Sequence, residues 1–171
     1  MYAGDDRRAQ ALTDELAKRF PEDTIVPFNF LLTLRAKLAV SRGKASEAIE
    51  TLRAATPSEP GQSTFSTYGW TAWYLVFVRG EAYLAAHRGA EAAAEFQKII
   101  DHRGIVLNGP IGALAHLGLA RAFVLEGDAA KSRMAYKAFL SFGRTAIPTS
   151  RSSSKRRRNT PSCRDPRMKN L

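Results

Sequence analysis

The sequence predicts an all-α fold, a solenoid of antiparallel helix pairs followed by a disordered C-terminal tail. Three observations carry this expectation. Apolar residues recur at helical spacing in seven segments, with Pro, Gly and Ser/Thr clusters between them. Small and aromatic residues repeat at the same offsets in successive helix pairs. No segment alternates apolar and polar residues between hairpin turns, as half-buried strands do.

The elements follow in order. Asp5 to Phe20 sets Ala9, Leu12, Leu16 and Phe20 on one face, and Pro21 ends it. Thr24 to Ser41 reads as a second helix broken at Arg42-Gly43, and Ala45 to Ala55 as a third. Pro57 to Gly69 reads as a long loop. Trp70 to Ala86 and Ala90 to Ile100 form the next pair. After a turn region from His102 to Gly109, Pro110 suits a first helical turn, and Ile111 to Leu125 and Ala129 to Phe142 form the last pair.

The net charge of +10 is not spread evenly. From Gly143 onward stand nine of the 26 Lys and Arg residues and one of the 16 Asp and Glu residues, which leaves only +2 on residues 1–142. The chain therefore divides into a nearly neutral helical domain, 1–142, and a basic, Ser/Arg-rich tail, 143–171, whose lack of apolar periodicity predicts disorder.

Register is the informative feature. Gly80, Tyr83, Ala92 and Phe96 fall at offsets 0, 3, 12 and 16, as do Ala120, Phe123, Ser132 and Tyr136, and again Ala36, Ala39, Ala48 and Leu52. Ala9 and Thr13 supply the later positions of an incomplete first copy. Gly4-Asp5, Gly43-Lys44 and Gly127-Asp128 mark recurring turns, where Gly ends one helix and Asp caps the next. Ala36, Ala48, Gly80, Tyr83, Ala92, Phe96, Ala120, Phe123 and Tyr136 are thus expected to pack the repeats together.

These offsets resemble the tetratricopeptide (TPR) pattern, in about three and a half copies. The spacings of 44 (Ala36 to Gly80) and 40 (Gly80 to Ala120) exceed the family's period of about 34, with the excess in the loops. Leu16-Ala17-Lys18-Arg19-Phe20-Pro21, Val78-Arg79-Gly80-Glu81-Ala82-Tyr83 and Pro110-Ile111-Gly112-Ala113-Leu114-Ala115-His116-Leu117 look like the C-terminal TPR region of bacterial eukaryotic-like serine/threonine kinases. The kinase's Gly-rich loop, His-Arg-Asp and Asp-Phe-Gly motifs are absent from this sequence, so the resemblance carries no kinase activity. Against the family pattern, Met1 falls within a first repeat, so that repeat is expected to be truncated, with Ala9, Leu12 and Leu16 partly uncovered. Back-translated and shifted by one base, Gly143 to Cys163 admits Trp-Lys-Asp-Arg-Asp-Pro-Asp-Ile-Pro-Ile-Leu, similar to the helix that follows the repeats in those kinases. The tail is accordingly expected to be a frameshifted translation.

What the resemblance implies is a concave groove built from the first helix of each pair. The relevant offsets are −6, −3, +1, +4 and +5 from the small residue. They give Phe30, Thr33, Lys37, Val40 and Ser41, then Tyr74, Phe77, Glu81, Leu84 and Ala85, then Leu114, Leu117, Arg121, Val124 and Leu125, among which Lys37, Tyr74, Phe77, Glu81, Arg121 and Val124 are the candidate peptide groove. Lys37, Glu81 and Arg121 occupy one equivalent row, a mixed-charge strip suited to a protein or peptide ligand.

Catalytic chemistry finds no foothold in the sequence. His116 takes a packing position, while His87 and His102 lie in turns; the three make no metal-ligand spacing. Cys163 is the single cysteine, lies in the tail and excludes an internal disulfide. Asp5-Asp6 and Glu22-Asp23 sit at helix ends, where caps and the helix dipole account for them. The expectation is a non-catalytic interaction scaffold without cofactor or metal. The rival reading is a nucleic-acid adaptor working through Lys155-Arg156-Arg157-Arg158, but that run lacks the interleaved aromatics that stack on bases. A non-functional gene remnant is the third. With neither a signal peptide nor an apolar run of membrane-spanning length in the sequence, the compartment by default is the cytoplasm.

Overall fold

A computed structural model of the chain describes residues 5–23, 26–53, 72–102 and 110–146. Among these residues every regular element is helical: α1 (Asp6–Arg19), a π-helical turn (Val26–Leu31) running into α2 (Leu32–Ser41), α3 (Ala45–Arg53), α4 (Ala72–Ala85), α5 (Gly89–Asp101), α6 (Pro110–Leu125) and α7 (Ala129–Ala146). The all-α expectation holds, and the predicted helix ends lie within a few residues of those found. The largest departure is α7, which continues four residues past Phe142 into the stretch assigned to the tail. The loop predicted over 57–69, most of the turn region to Gly109 and the tail from residue 147 lie outside the described residues. No described helix is long and apolar enough to cross a membrane.

Local chemistry sets the helix ends. Asp5 Oδ1 accepts from the Arg8 N–H at 2.9 Å and Asp128 Oδ1 from the Lys131 N–H at 2.9 Å, so both cap the helix that follows. Asp23 Oδ1 accepts from the Val26 N–H at 2.8 Å at the start of the π-helical turn, with Pro27 inside its first turn.

One turn is built three times. After α2, the Gly43 N–H reaches Val40 O (3.0 Å) and the Lys44 N–H reaches Ala39 O (2.8 Å). His87 and Arg88 repeat this after α4 onto Leu84 O and Tyr83 O, and Gly127 and Asp128 repeat it after α6 onto Val124 O and Phe123 O. Each is a Schellman closure, which needs a left-handed residue after the helix. Gly43 and Gly127 supply it with φ of 75°, and His87 adopts it with φ of 57°. These turns fold α2 on α3, α4 on α5 and α6 on α7 as helical hairpins.

The hairpins pack through two clusters that share α4. Its Leu75, Val78 and Ala82 join Ala36, Ala48 and Leu52 of α2 and α3. Its Val76 and Phe77 join Ala92, Phe96 and Ile99 of α5 and Ile111, Ala115 and Ala120 of α6. A helix that serves two cores must be apolar on most of its circumference, which is why the Trp73 to Val78 run has no polar face. Tyr83 packs against both clusters. At the far end, α1 touches α2 and the π-helical turn and leaves Leu12 57% exposed.

Candidate interaction surface

The small residues at the register positions let helices approach closely. Ala36, Ala48, Ala92 and Ala120 are wholly buried. A methyl group at Gly80 would sit 2.8 Å from Phe96 Cζ, and one at Gly118 would sit 2.5 Å from the same atom. The Phe96 ring is therefore held between a glycine of its own hairpin and a glycine of the helix that follows, and meets Phe77 edge-on at 5.5 Å. Phe123 is partly buried, with Lys131 Nζ 5.5 Å from its ring centre.

The predicted groove residues separate into three groups. Lys37 Nζ donates to Glu81 Oε2 at 2.6 Å, joining α2 to α4 with both side chains largely buried. Two members of the charged row thus neutralise each other. Phe77 does not line a groove: it is 6% exposed and belongs to the core, because its position on α4 faces Phe96. Tyr74 is half-buried against the same cluster.

Arg121 and Val124 do come together. With Leu84 and Ala85 of α4, Leu125 of α6 and Tyr136 of α7 they line an open, mainly apolar depression of about 420 Å³. Five of these six residues stand at the groove offsets +1, +4 and +5. The sixth corrects an expectation. Tyr136, assigned to repeat packing, is 36% exposed, since among the described residues no helix follows α7 to cover it.

The buried pair Arg79–Glu95 escaped the sequence reading. Arg79 Nη2 donates to Glu95 Oε2 at 2.5 Å, Lys98 Nζ donates to Glu95 Oε1 at 2.8 Å, and Arg79 and Glu95 are both buried. The register held the signal, because the equivalent residues one hairpin later are Leu119 and Ala135, both buried too. Of the histidines, His116 stands with its ring 5.5 Å from that of Phe142, His102 stacks on Trp73 at 4.8 Å, and His87 forms the turn described above. Among the described residues, no three His, Cys, Asp or Glu side chains gather in a way that could hold a metal ion.

In comparisons with known proteins, no family model matches the chain, and no significant match is found among the curated proteins or the solved structures.

Proposed function

We propose that the chain is a non-catalytic protein–protein interaction module, a TPR-like solenoid of helix pairs that holds a protein or peptide ligand in its groove. The observation that carries this reading is the convergence of Leu84, Ala85, Arg121, Val124 and Leu125, spaced at equivalent offsets on α4 and α6, on one open apolar depression. The thrice-built Schellman turn and the recurring small residues support a repeat origin for that geometry. The segments quoted above support a relationship to the repeat region of bacterial serine/threonine kinases.

A peptide array tests the reading. The full chain and its Val124→Glu variant are each probed against the same peptides; Val124 is 58% exposed, so the substitution leaves the core alone. A discrete set of peptides bound by the parent and lost by Val124→Glu is expected. The same set retained by the variant would remove the site, and no bound peptides at all would remove the interaction reading.

A further inference from the structure

The outer face of α7 exposes two residues whose described counterparts in earlier hairpins are buried or partly buried. The register of Tyr136 is held by Leu52 in α3 and Phe96 in α5, both wholly buried. Gly118 of the following helix covers Phe96, and Val78, at the equivalent position one hairpin earlier, lies in the same cluster as Leu52. Tyr136 has no such cover among the described residues. One turn on, Leu140 is 60% exposed, whereas its counterpart Ile100 packs against the core. Val124 and Leu125 of α6, 58% and 42% exposed, line the depression beside Tyr136 and add to the exposed apolar strip on α6 and α7.

Charge around the strip is one-sided. Residues 110–146 hold five Lys and Arg against two carboxylates, Glu126 and Asp128, both in the turn. Asp128 pairs with Lys131 at 2.9 Å, and Glu126 Cγ lies against Gly89. Arg121 lines the depression, and Arg133 and Lys137 stand beside Tyr136 and Leu140 at i,i+3, i+4 and i+7 spacing on α7. None of these three cations has a carboxylate partner among the described residues.

We propose that an acidic amphipathic α-helix of a partner protein docks on this strip, seated as the next helix of the stack. Its apolar ridge covers Tyr136 and Leu140, its carboxylates face Arg121, Arg133 and Lys137, and a Gly or Ala lies over the Tyr136 ring as Gly118 lies over Phe96. This rests on the interaction-module reading and gives it a ligand class. A second copy of the chain is a poorer occupant. Its uncovered helix is α1, which exposes Leu12 but carries four Lys and Arg against three Asp and Glu and so brings no complementary charge.

The probe is a fluorescein-labelled acidic peptide of about 18 residues, long enough to form a helix, with leucines at i,i+3/i+4 and a central alanine. A scrambled peptide of identical composition measures whatever the basic tail binds by charge alone. By fluorescence anisotropy on the full chain, the amphipathic peptide is expected to bind at least about tenfold tighter than its scramble. Leu140→Glu and Arg133→Glu, both at exposed positions, should each cost about tenfold for the amphipathic peptide and leave circular dichroism unchanged. Equal binding of the two peptides, or indifference to both substitutions, overturns the proposal. If the array peptides above still depend on Val124 while this peptide does not bind, the interaction module stands and the acidic helix falls. Concentration-dependent dimerisation in sedimentation velocity that Leu140→Glu abolishes would give the face to a second copy and equally overturn it.

Discussion

The α4–α5 and α6–α7 hairpins share a register, yet one encloses its aromatic and the other displays it. Phe96 is sealed between Gly80 and Gly118, while Tyr136, sixteen residues after Ala120 as Phe96 is after Gly80, lies at the rim of an open depression. Burial in such a stack is decided by the neighbour a hairpin has on each side. Among the described residues, the same sequence position is core where a helix follows and surface where none does.

The largest effect should separate these two residues. Phe96→Ala is expected to cost about 3–5 kcal/mol, because a wholly buried ring leaves a cavity walled by glycines that cannot fill it. Tyr136→Ala should cost less than about 1 kcal/mol. Urea unfolding of both variants checks this, and similar losses would mean that Tyr136 is covered in solution. Gly118→Ala should destabilise by about 1–3 kcal/mol through overpacking on the same ring.

A second contrast lies one residue away. The buried Arg79–Glu95 pair of the α4–α5 hairpin is matched by Leu119 and Ala135 in the α6–α7 hairpin, so one packing site is filled ionically and its copy apolarly. Breaking the pair with Glu95→Ala should cost about 3–5 kcal/mol, since it takes the carboxylate from a buried guanidinium. Adding Arg79→Leu, which reproduces the apolar copy, should restore most of that loss. A double-mutant cycle by chemical denaturation decides the point: simple additivity of the two losses would show that the pair does not act as a unit.

How far the sequence foretold this structure can be traced through the same residues. The helices were legible because long segments are free of breakers and several keep apolar spacing near 3.6, and Arg121, Val124 and Leu125, picked by offset alone, do line one depression. Phe77 was misassigned because an offset counted from Gly80 cannot reveal that α4 faces two cores at once. The exposure of Tyr136 was hidden because a repeat pattern encodes a residue's place in its own hairpin and not the presence of the next. Arg79 and Glu95 drew no reading of their own, since sixteen residues of separation conceal a contact that only the folded hairpin makes. The π-helical turn before α2 has no distinct periodicity over its six residues.

Smaller effects belong to the turns. His87 does at φ 57° what Gly43 and Gly127 do at φ 75°. A side chain in the left-handed region costs about 1–2 kcal/mol, so His87→Gly should raise the melting temperature and Gly127→Ala should lower it, each by about 1 kcal/mol in stability. Thermal melts followed by circular dichroism measure both, and shifts of the same sign would break the equivalence of the turns.

The smallest effect is a pH dependence that distinguishes the two hairpin turns at their caps. Asp128 caps α7, and the Lys131 N–H, with the Lys131 ammonium second, holds its carboxyl below the usual aspartate range. Arg88, at the equivalent position before α5, makes no side-chain cap and instead donates to Glu91, whose carboxyl is lowered chiefly by that bond. A carboxyl depressed in the folded state contributes its stability in full above the unfolded value, 3.8 for this aspartate, and loses it as pH falls through the folded value. The Asp128 contribution is therefore constant from neutral pH down to about 5 and is lost progressively below. Asp128→Asn keeps a capping oxygen that does not titrate, so the gap between parent and variant should be flat from about pH 7 to about pH 5 and shift in the variant's favour below that. Glu91→Gln, which removes no cap, should show the same pattern from a higher onset, because the unfolded value is 4.5 for this glutamate, with the loss confined to the Arg88 contact. Denaturation midpoints measured across this range test the assignment, and a gap that already moves between about pH 7 and about pH 5 would place the titration on another group.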